Sequence, residues 1–175
     1  MLIGLLVSFA GLVYTDAYYN DFGVKYQLLS LPWYHIVYGG LTAVAQRWWL
    51  ILLYAIPAIV LQVDASTLAN RPLIRRIRDI FLVFIVPLLL VGTYLLARSA
   101  GHSRYALDTD PDKSSLPRIV KLSVENVVSF GPTDGMRVLL VDSDHIVIFQ
   151  PQRNHSVPNV KRFLKGDVHE FETGP

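Results

Sequence analysis

Apolar positions gather into three long runs before residue 98 and into short alternating runs after residue 117. The long runs are "LIGLLVSFAGLVY" (2–14), "WWLILLYAIPAIVLQV" (48–63) and "IFLVFIVPLLLVGTYLLA" (80–97). A membrane-crossing helix needs about 20 predominantly apolar residues, with about 17 as the lower limit. The third run is long enough by itself. The second reaches that length by borrowing from "IVYGGLTAVAQR" before it. The first must extend to Tyr18 or Tyr19, which carries Asp16 to an interface. The pattern predicts about three transmembrane helices and an interfacial helix over residues 1–97. "SFA" ahead of Gly11 has the small-x-small form of a cleavage site, but the stretch before it lacks Lys or Arg and is short for a signal sequence, so a retained helix is expected. Gly4 and Ser8 lie four apart on one face, a spacing that permits close helix contact and also arises by chance.

"SLPWYH" reads as a helix start, with Ser30 as N-cap and Pro32 in the first turn. A helix from Pro32 to Val63 would be about 48 Å long at 1.5 Å per residue, more than the roughly 30 Å hydrocarbon core. It must tilt strongly, bend near Gly39 and Gly40, or begin along the interface. Amphipathic rings favour the headgroup level, and Tyr18, Tyr19, Trp33, Tyr34, Trp48 and Trp49 form the expected aromatic belt. Pro57 and Pro87 sit inside the second and third runs as candidate kinks, freeing the carbonyls of Leu53 and Val83. Prolines are common in transmembrane helices, and no ionisable side chain accompanies either one in its run.

Residues 98–117 are polar, with Gly, Ser and Pro but no sustained period, and read as a linker. Beyond them "RIVKLSVE" alternates, with Val120, Leu122 and Val124 on one face. "GPTDG" is turn chemistry. "MRVLLVDSDHIVIFQ" reads as a hairpin about Asp142–His145, and "HSVPN" and "DVHEFE" can supply two last strands. About five short strands in residues 118–175 predict a small all-β domain, a closed or half-closed SH3-like or Sm-like barrel.

Composition sharpens the division. Charged residues are 17% of the chain against about 25% in soluble domains, and mean hydropathy is +0.37. Residues 1–97 hold six Lys/Arg and four Asp/Glu, whereas residues 98–175 hold ten of each. The net charge of +2 therefore belongs to the apolar part, and a nucleic-acid partner is not expected. Arg71, Arg75, Arg76 and Arg78 cluster before the third run, and the positive-inside rule puts them in the cytoplasm at the membrane interface. The C-terminal domain then falls on the non-cytoplasmic side of a cell or inner membrane, although Arg98, Arg104, Lys113 and Arg118 pull the other way. "RPLIRRIRD" could alternatively be a basic amphipathic turn on anionic headgroups.

Candidate chemistry is sparse. Asp142, Asp144 and His145 form a metal-capable or acid–base set at the hairpin tip, with His155 and His169 further on, but Asp and Ser are also the usual turn residues. Asp108, Asp110 and Asp112 begin like a calcium loop and then place Lys113 and Ile119 where Gly and Glu belong. Asn154–Ser156 is a glycosylation triplet. Lys161, Arg162 and Lys165 form a small basic group. The chain has no cysteine, P-loop, dinucleotide fingerprint or zinc motif, so no catalytic, cofactor or metal residue is expected. No ionisable residue lies inside the second or third run, against a classical proton pump or ion-coupled carrier.

Three spans followed by an Sm-like domain, with "SVPN" at residues 156–159, resemble the architecture of small-conductance mechanosensitive channels; the third run here is Leu/Val-rich where those channels have a Gly/Ala-rich pore helix. That resemblance implies an oligomer, with a pore as its sharper form. The expectation is a non-enzymatic, multi-pass membrane protein that assembles through its helices or its β domain. The alternative is a membrane-anchored accessory or scaffold subunit whose β domain binds a partner protein.

Overall fold

The structure is a computed structural model. It describes residues 2–25, 27, 29, 31–49, 51–52, 54–55, 72–124, 127–130, 135–152 and 158–174. Three helices, α1 (Leu2–Asp21), α2 (Trp33–Gln46) and α3 (Pro72–Thr109), precede six strands. The chain divides into two compact units. The first comprises residues 1–15 and 33–101, and the second comprises residues 16–32 and 102–175.

In the first unit the helices meet through small residues. Ala10, Tyr14, Ala43, Ala97 and Ala100 form one buried cluster; Leu6, Tyr54, Ile85 and Leu89 form another. A β carbon at Gly11 would collide with the Ile36 carbonyl, and one at Gly40 with the Val7 carbonyl, so backbones touch where α1 meets α2. Close approach of this kind requires glycine. Gly4, in contrast, is exposed with open space around it, so the Gly4–Ser8 face is not the contact. A bend near Gly39 and Gly40 is one of three options the length of the helix leaves; α2 is unbroken helix through both glycines, which pack against α1, and ends at Gln46, with helical backbone again at Trp49.

α3 spans 38 residues with Pro87 inside it, and helix continues on both sides of the proline. It also continues past Ala97, so residues 98–109, expected as linker, are helical. Arg104 and Asp108 pair four residues apart in that stretch, a spacing that supports helix. Among the described residues one helix, over Val83–Thr109, is long and apolar enough to cross a membrane. Ser30, Pro57, Arg71 and most of the second apolar run lie outside the described residues, as do the "GPT" turn and "HSV".

The second unit is built on a mixed-length antiparallel sheet of β1 (Arg118–Val124), β2 (Val127–Phe130), β3 (Arg137–Val141), β4 (His145–Gln150), β5 (Asn159–Leu164) and β6 (Val168–Gly174). Ladders run β2-β1-β3-β4-β5, with β6 added along β1. A one-turn 3-10 helix, Lys165–Asp167, joins β5 to β6. The sheet is antiparallel as expected, and it is not closed into a barrel: among the described residues no ladder joins β5 to any strand but β4. Among the described residues the fifth strand begins at Asn159, the last residue of "HSVPN", after Pro158, which has no N–H to offer, and the basic stretch "VKRFL" carries its pairing with β4. The alternation read for β1 slips by one. Ile119 is buried along with Leu122 and Val124, and the β1–β6 register shifts between Ile119 and Lys121.

β4 is buried on both faces, which explains its unbroken apolar run. Ile146 and Ile148 join Ile119, Leu122, Val124, Met136 and Val138 on one side. Val147 and Phe149 join Leu139, Leu140 and the aromatic end of α1 on the other. That end, "YYNDFGV", closes in a Schellman motif: Val24 N–H donates to the Tyr19 carbonyl (2.9 Å), Gly23 N–H donates to that of Asn20 (2.9 Å), and Gly23 has φ +73°. Phe22 then stands edge-on to Tyr18, Tyr105 and Phe149 at 5.3, 4.8 and 4.8 Å.

Candidate functional site

Three places concentrate side chains that could act: the β3–β4 turn, the polar cluster between the end of α1 and residues 102–137, and the exposed apolar surface of the first unit.

At the turn, Asp142, Asp144 and His145 bring potential ligand atoms within 4.8 Å of one another. The hydrogen bonding explains why they are close. Asp142 Oδ1 accepts the backbone N–H groups of Asp144 (2.8 Å) and His145 (2.6 Å), and the Asp142 N–H donates to the His145 carbonyl (3.0 Å). An aspartate at the start of a tight turn does this by default. Burial pushes the Asp142 carboxyl up, but the two backbone donors and His145 more than offset it, so the group sits below the ordinary carboxylate range. Its Oδ2 is buried with no hydrogen-bond partner among the described residues. Arg162 Nη2 lies 3.1 and 3.0 Å from the two ring nitrogens of His145, and being equidistant from both it stands over the ring face. Asp144 is exposed and takes the Ser143 hydroxyl. The set is a braced hairpin turn with a guanidinium on top. His155 lies outside the described residues, and His169 is exposed on β6.

The polar cluster was not foreseen as a site. Asp108 is buried, and its Oδ2 accepts from Tyr18 Oη (2.9 Å) and Arg104 Nε (2.9 Å). Asp21 pairs with His102. Arg137 is buried too. Its guanidinium donates to the carbonyls of Pro111 (3.0 Å), Ser114 (3.1 Å) and Leu116 (2.5 Å), fastening the turn segment that leads into β1. Burial pulls the Arg137 pKa down, Arg118 adds to that, and Asp108 opposes it. The i,i+4 pair Arg104/Asp108 was visible in the sequence but was read as linker. Tyr18 and Tyr19, assigned to the aromatic belt, are instead buried against Leu139, Leu140, Val147 and Phe149 and present no ring to a headgroup layer. The three acids expected in a solvated linker separate: Asp108 is interior, while Asp110 pairs with Lys113 and caps the Asp112 N–H (3.0 Å).

Among the described residues, much of the first unit's surface is apolar. On α3 the residues at 85, 89, 93, 97 and 100 form one buried stripe at helical spacing. The other sides carry Val83, Phe84, Val86, Leu88, Leu90, Val91 and Leu95, all exposed, with Val83 and Phe84 at 69% and 71%. Inside, Thr93 pairs with Tyr54, hydroxyl to hydroxyl at 3.1 Å. Trp33, Tyr34, Trp48 and Trp49 are exposed. Of the basic group, Arg76 is exposed, and the side chains of Arg75 and Arg78 and all of Arg71 lie outside the described residues.

No family model, curated protein or solved structure matches the chain.

Proposed function

We propose that the chain is a non-enzymatic membrane protein whose helices sit in a bilayer and associate with further copies, the β unit working in water; a pore along the assembly axis is the sharper form of this reading. The carrying observation is α3. A helix apolar on all sides is stable when every side is away from water, and among the described residues from Val83 to Ala100 one stripe of α3 is buried. The 18 residues from Ile80 to Ala97 hold no charge, which fits a span without a proton relay. Multi-pass insertion, with the arginine cluster cytoplasmic, follows the same reading. The strand order supports an open SH3-like or Sm-like domain: a β3-β4-β5 meander, a 3-10 turn, and a last strand returning to β1.

The second reading, an accessory subunit whose β unit binds a partner protein, is favoured by the open sheet and by Val141 and Leu164, exposed apolar residues on β3 and β5. The deciding experiment is the mass and symmetry of the purified chain in a native-like bilayer particle. A closed ring of four or more copies supports assembly and makes conductance the next measurement. A monomer sinks the pore and turns attention to what residues 116–175 capture.

A further inference from the structure

Between Trp33 and Gln46, α2 contains no Asp, Glu, Lys or Arg. Its inner face is Gly39, Gly40 and Ala43, the glycines being packed on α1. Its outer face carries Trp33 (74% exposed), Tyr34, Tyr38 (70%) and Leu41, with Tyr34, Tyr38 and Leu41 in line at i, i+4 and i+7. These side chains, with His35 and Val37, line a shallow, largely apolar groove of about 440 Å³. The titratable His35 is stacked on Tyr34, ring centres 4.8 Å apart. Just past the helix, Trp48 and Trp49 stack at 3.9 Å and are exposed.

We propose that this aromatic face of α2 is a lipid-binding surface, seated at the headgroup level of a bilayer, with its groove taking the upper part of an acyl chain. The proposal rests on the bilayer reading of α3. The choice of occupant comes from the side chains. A protein-docking surface of this size ordinarily has a polar, charged rim, and this one has none on the helix itself. Trp and Tyr pair an apolar body with one N–H or O–H, which suits a layer that is apolar below and wet above. Five such rings fall within residues 33–49, where Arg47 is the single Lys, Arg, Asp or Glu, and match a lipid surface.

The chain has three tryptophans, all in this region, so intrinsic fluorescence reads the surface directly. In the full-length Trp48→Phe/Trp49→Phe chain, Trp33 alone emits. Reconstituted in phosphatidylcholine vesicles, it should emit to the blue and be quenched about twofold more by bromines near the headgroup than by bromines near the chain ends, as headgroup-level seating requires. A parallel chain carrying Phe84→Trp with all three native tryptophans replaced by Phe reports on α3. Trp33 open to acrylamide while the α3 probe is quenched by deep bromines overturns the lipid surface and leaves the bilayer reading standing. Both probes open to acrylamide bring down the bilayer reading and this proposal with it. Trp33 shielded from acrylamide and bromine alike shows protein over the groove, a second copy included, and also overturns the proposal.

Discussion

Gly40 of α2 lies against the carbonyl of Val7 of α1, with so little space that a β carbon would strike the oxygen and sit 3.1 Å from the carbonyl carbon. Gly11 meets Ile36 in the same way one turn along, where an added carbon would also come within 2.9 Å of the Gly40 nitrogen. The two helices are therefore held at a distance that only hydrogen side chains allow. Gly40→Ala and Gly11→Ala should each lower stability by about 1–3 kcal/mol through overpacking. Because the two sites share atoms, the double variant should depart from additivity. Gly4→Ala, on an exposed helical position with open space, should gain roughly 0.5–1 kcal/mol. Unfolding midpoints of the detergent-solubilised chain check all four, and a neutral Gly40→Ala would show that α1 and α2 do not pack as described.

Asp142 braces the β3–β4 turn as an anion. Its carboxyl sits below the ordinary range, so the folded state prefers the charged form. The stabilisation is fully present above the unfolded value near 3.9 and is lost as pH falls through the lower folded value. Asp142→Asn keeps an oxygen for the two backbone N–H groups and should cost less than about 1 kcal/mol near neutrality, while Asp142→Ala strands both donors and should cost about 1–3 kcal/mol. The gap between wild type and Asp142→Asn should be flat above about pH 5 and close below pH 4. Should the gap instead open in acid, the carboxylate is not the form the turn holds.

Tyr18 and Asp108 are linked across 90 positions of sequence by one buried hydrogen bond of 2.9 Å. Tyr18→Phe removes the donor and leaves Arg104 as the remaining partner of Asp108 Oδ2, with Oδ1 already lacking a hydrogen-bond partner among the described residues. A loss of about 1–3 kcal/mol is expected. Tyr18→Leu, which takes away the ring as well, should cost more, and thermal unfolding of the two variants separates the hydrogen bond from the ring.

Arg137 bridges three carbonyls with two guanidinium nitrogens, Nη1 serving Ser114 and Leu116 and Nη2 serving Pro111. Arg137→Lys should therefore cost nearly as much as Arg137→Met, about 2–4 kcal/mol, since a buried carbonyl left without its donor carries the desolvation penalty whichever residue fails it. Amide exchange around residues 110–117 should quicken in both variants. Full rescue by lysine would mean that charge, not the fork of donors, holds the segment.

The β3–β4 hairpin was legible because two apolar runs flank a turn made of Asp and Ser, and both strands and turn lie where the pattern places them. α3 was legible as an apolar run but not in its length. Local composition across "ARSAGHSRYALDT" resembles a linker, and the Arg104–Asp108–Tyr18 contacts that accompany helix there depend on a partner 90 residues away. Tyr18 and Tyr19 are buried for the same reason. A tyrosine beside an apolar run fits an interface and a core equally well, and the "DFG" that turns the chain after them, through Gly23, decides which. The barrel closure failed because ladder order is set by long-range pairing, which strand patterning does not contain.

Leu88 and Leu89 are neighbours near the middle of the uncharged run, one exposed and one buried. They separate a bilayer from water as the medium around α3. Leu89→Ala should cost about 2–5 kcal/mol in either medium, because its side chain is in the unit's own core. Leu88→Asp distinguishes them. On a water-facing surface an aspartate is tolerated within about 0.5 kcal/mol. Against hydrocarbon at the centre of a span it opposes insertion by about 2.5–3.5 kcal/mol, enough to shift the chain from a carbonate-resistant membrane fraction to a soluble or aggregated one. Measuring that partition for Leu88→Asp beside Leu88→Ile settles the medium. Equal partition of the two would place α3 in water and return its exposed apolar sides to the category of a protein interface.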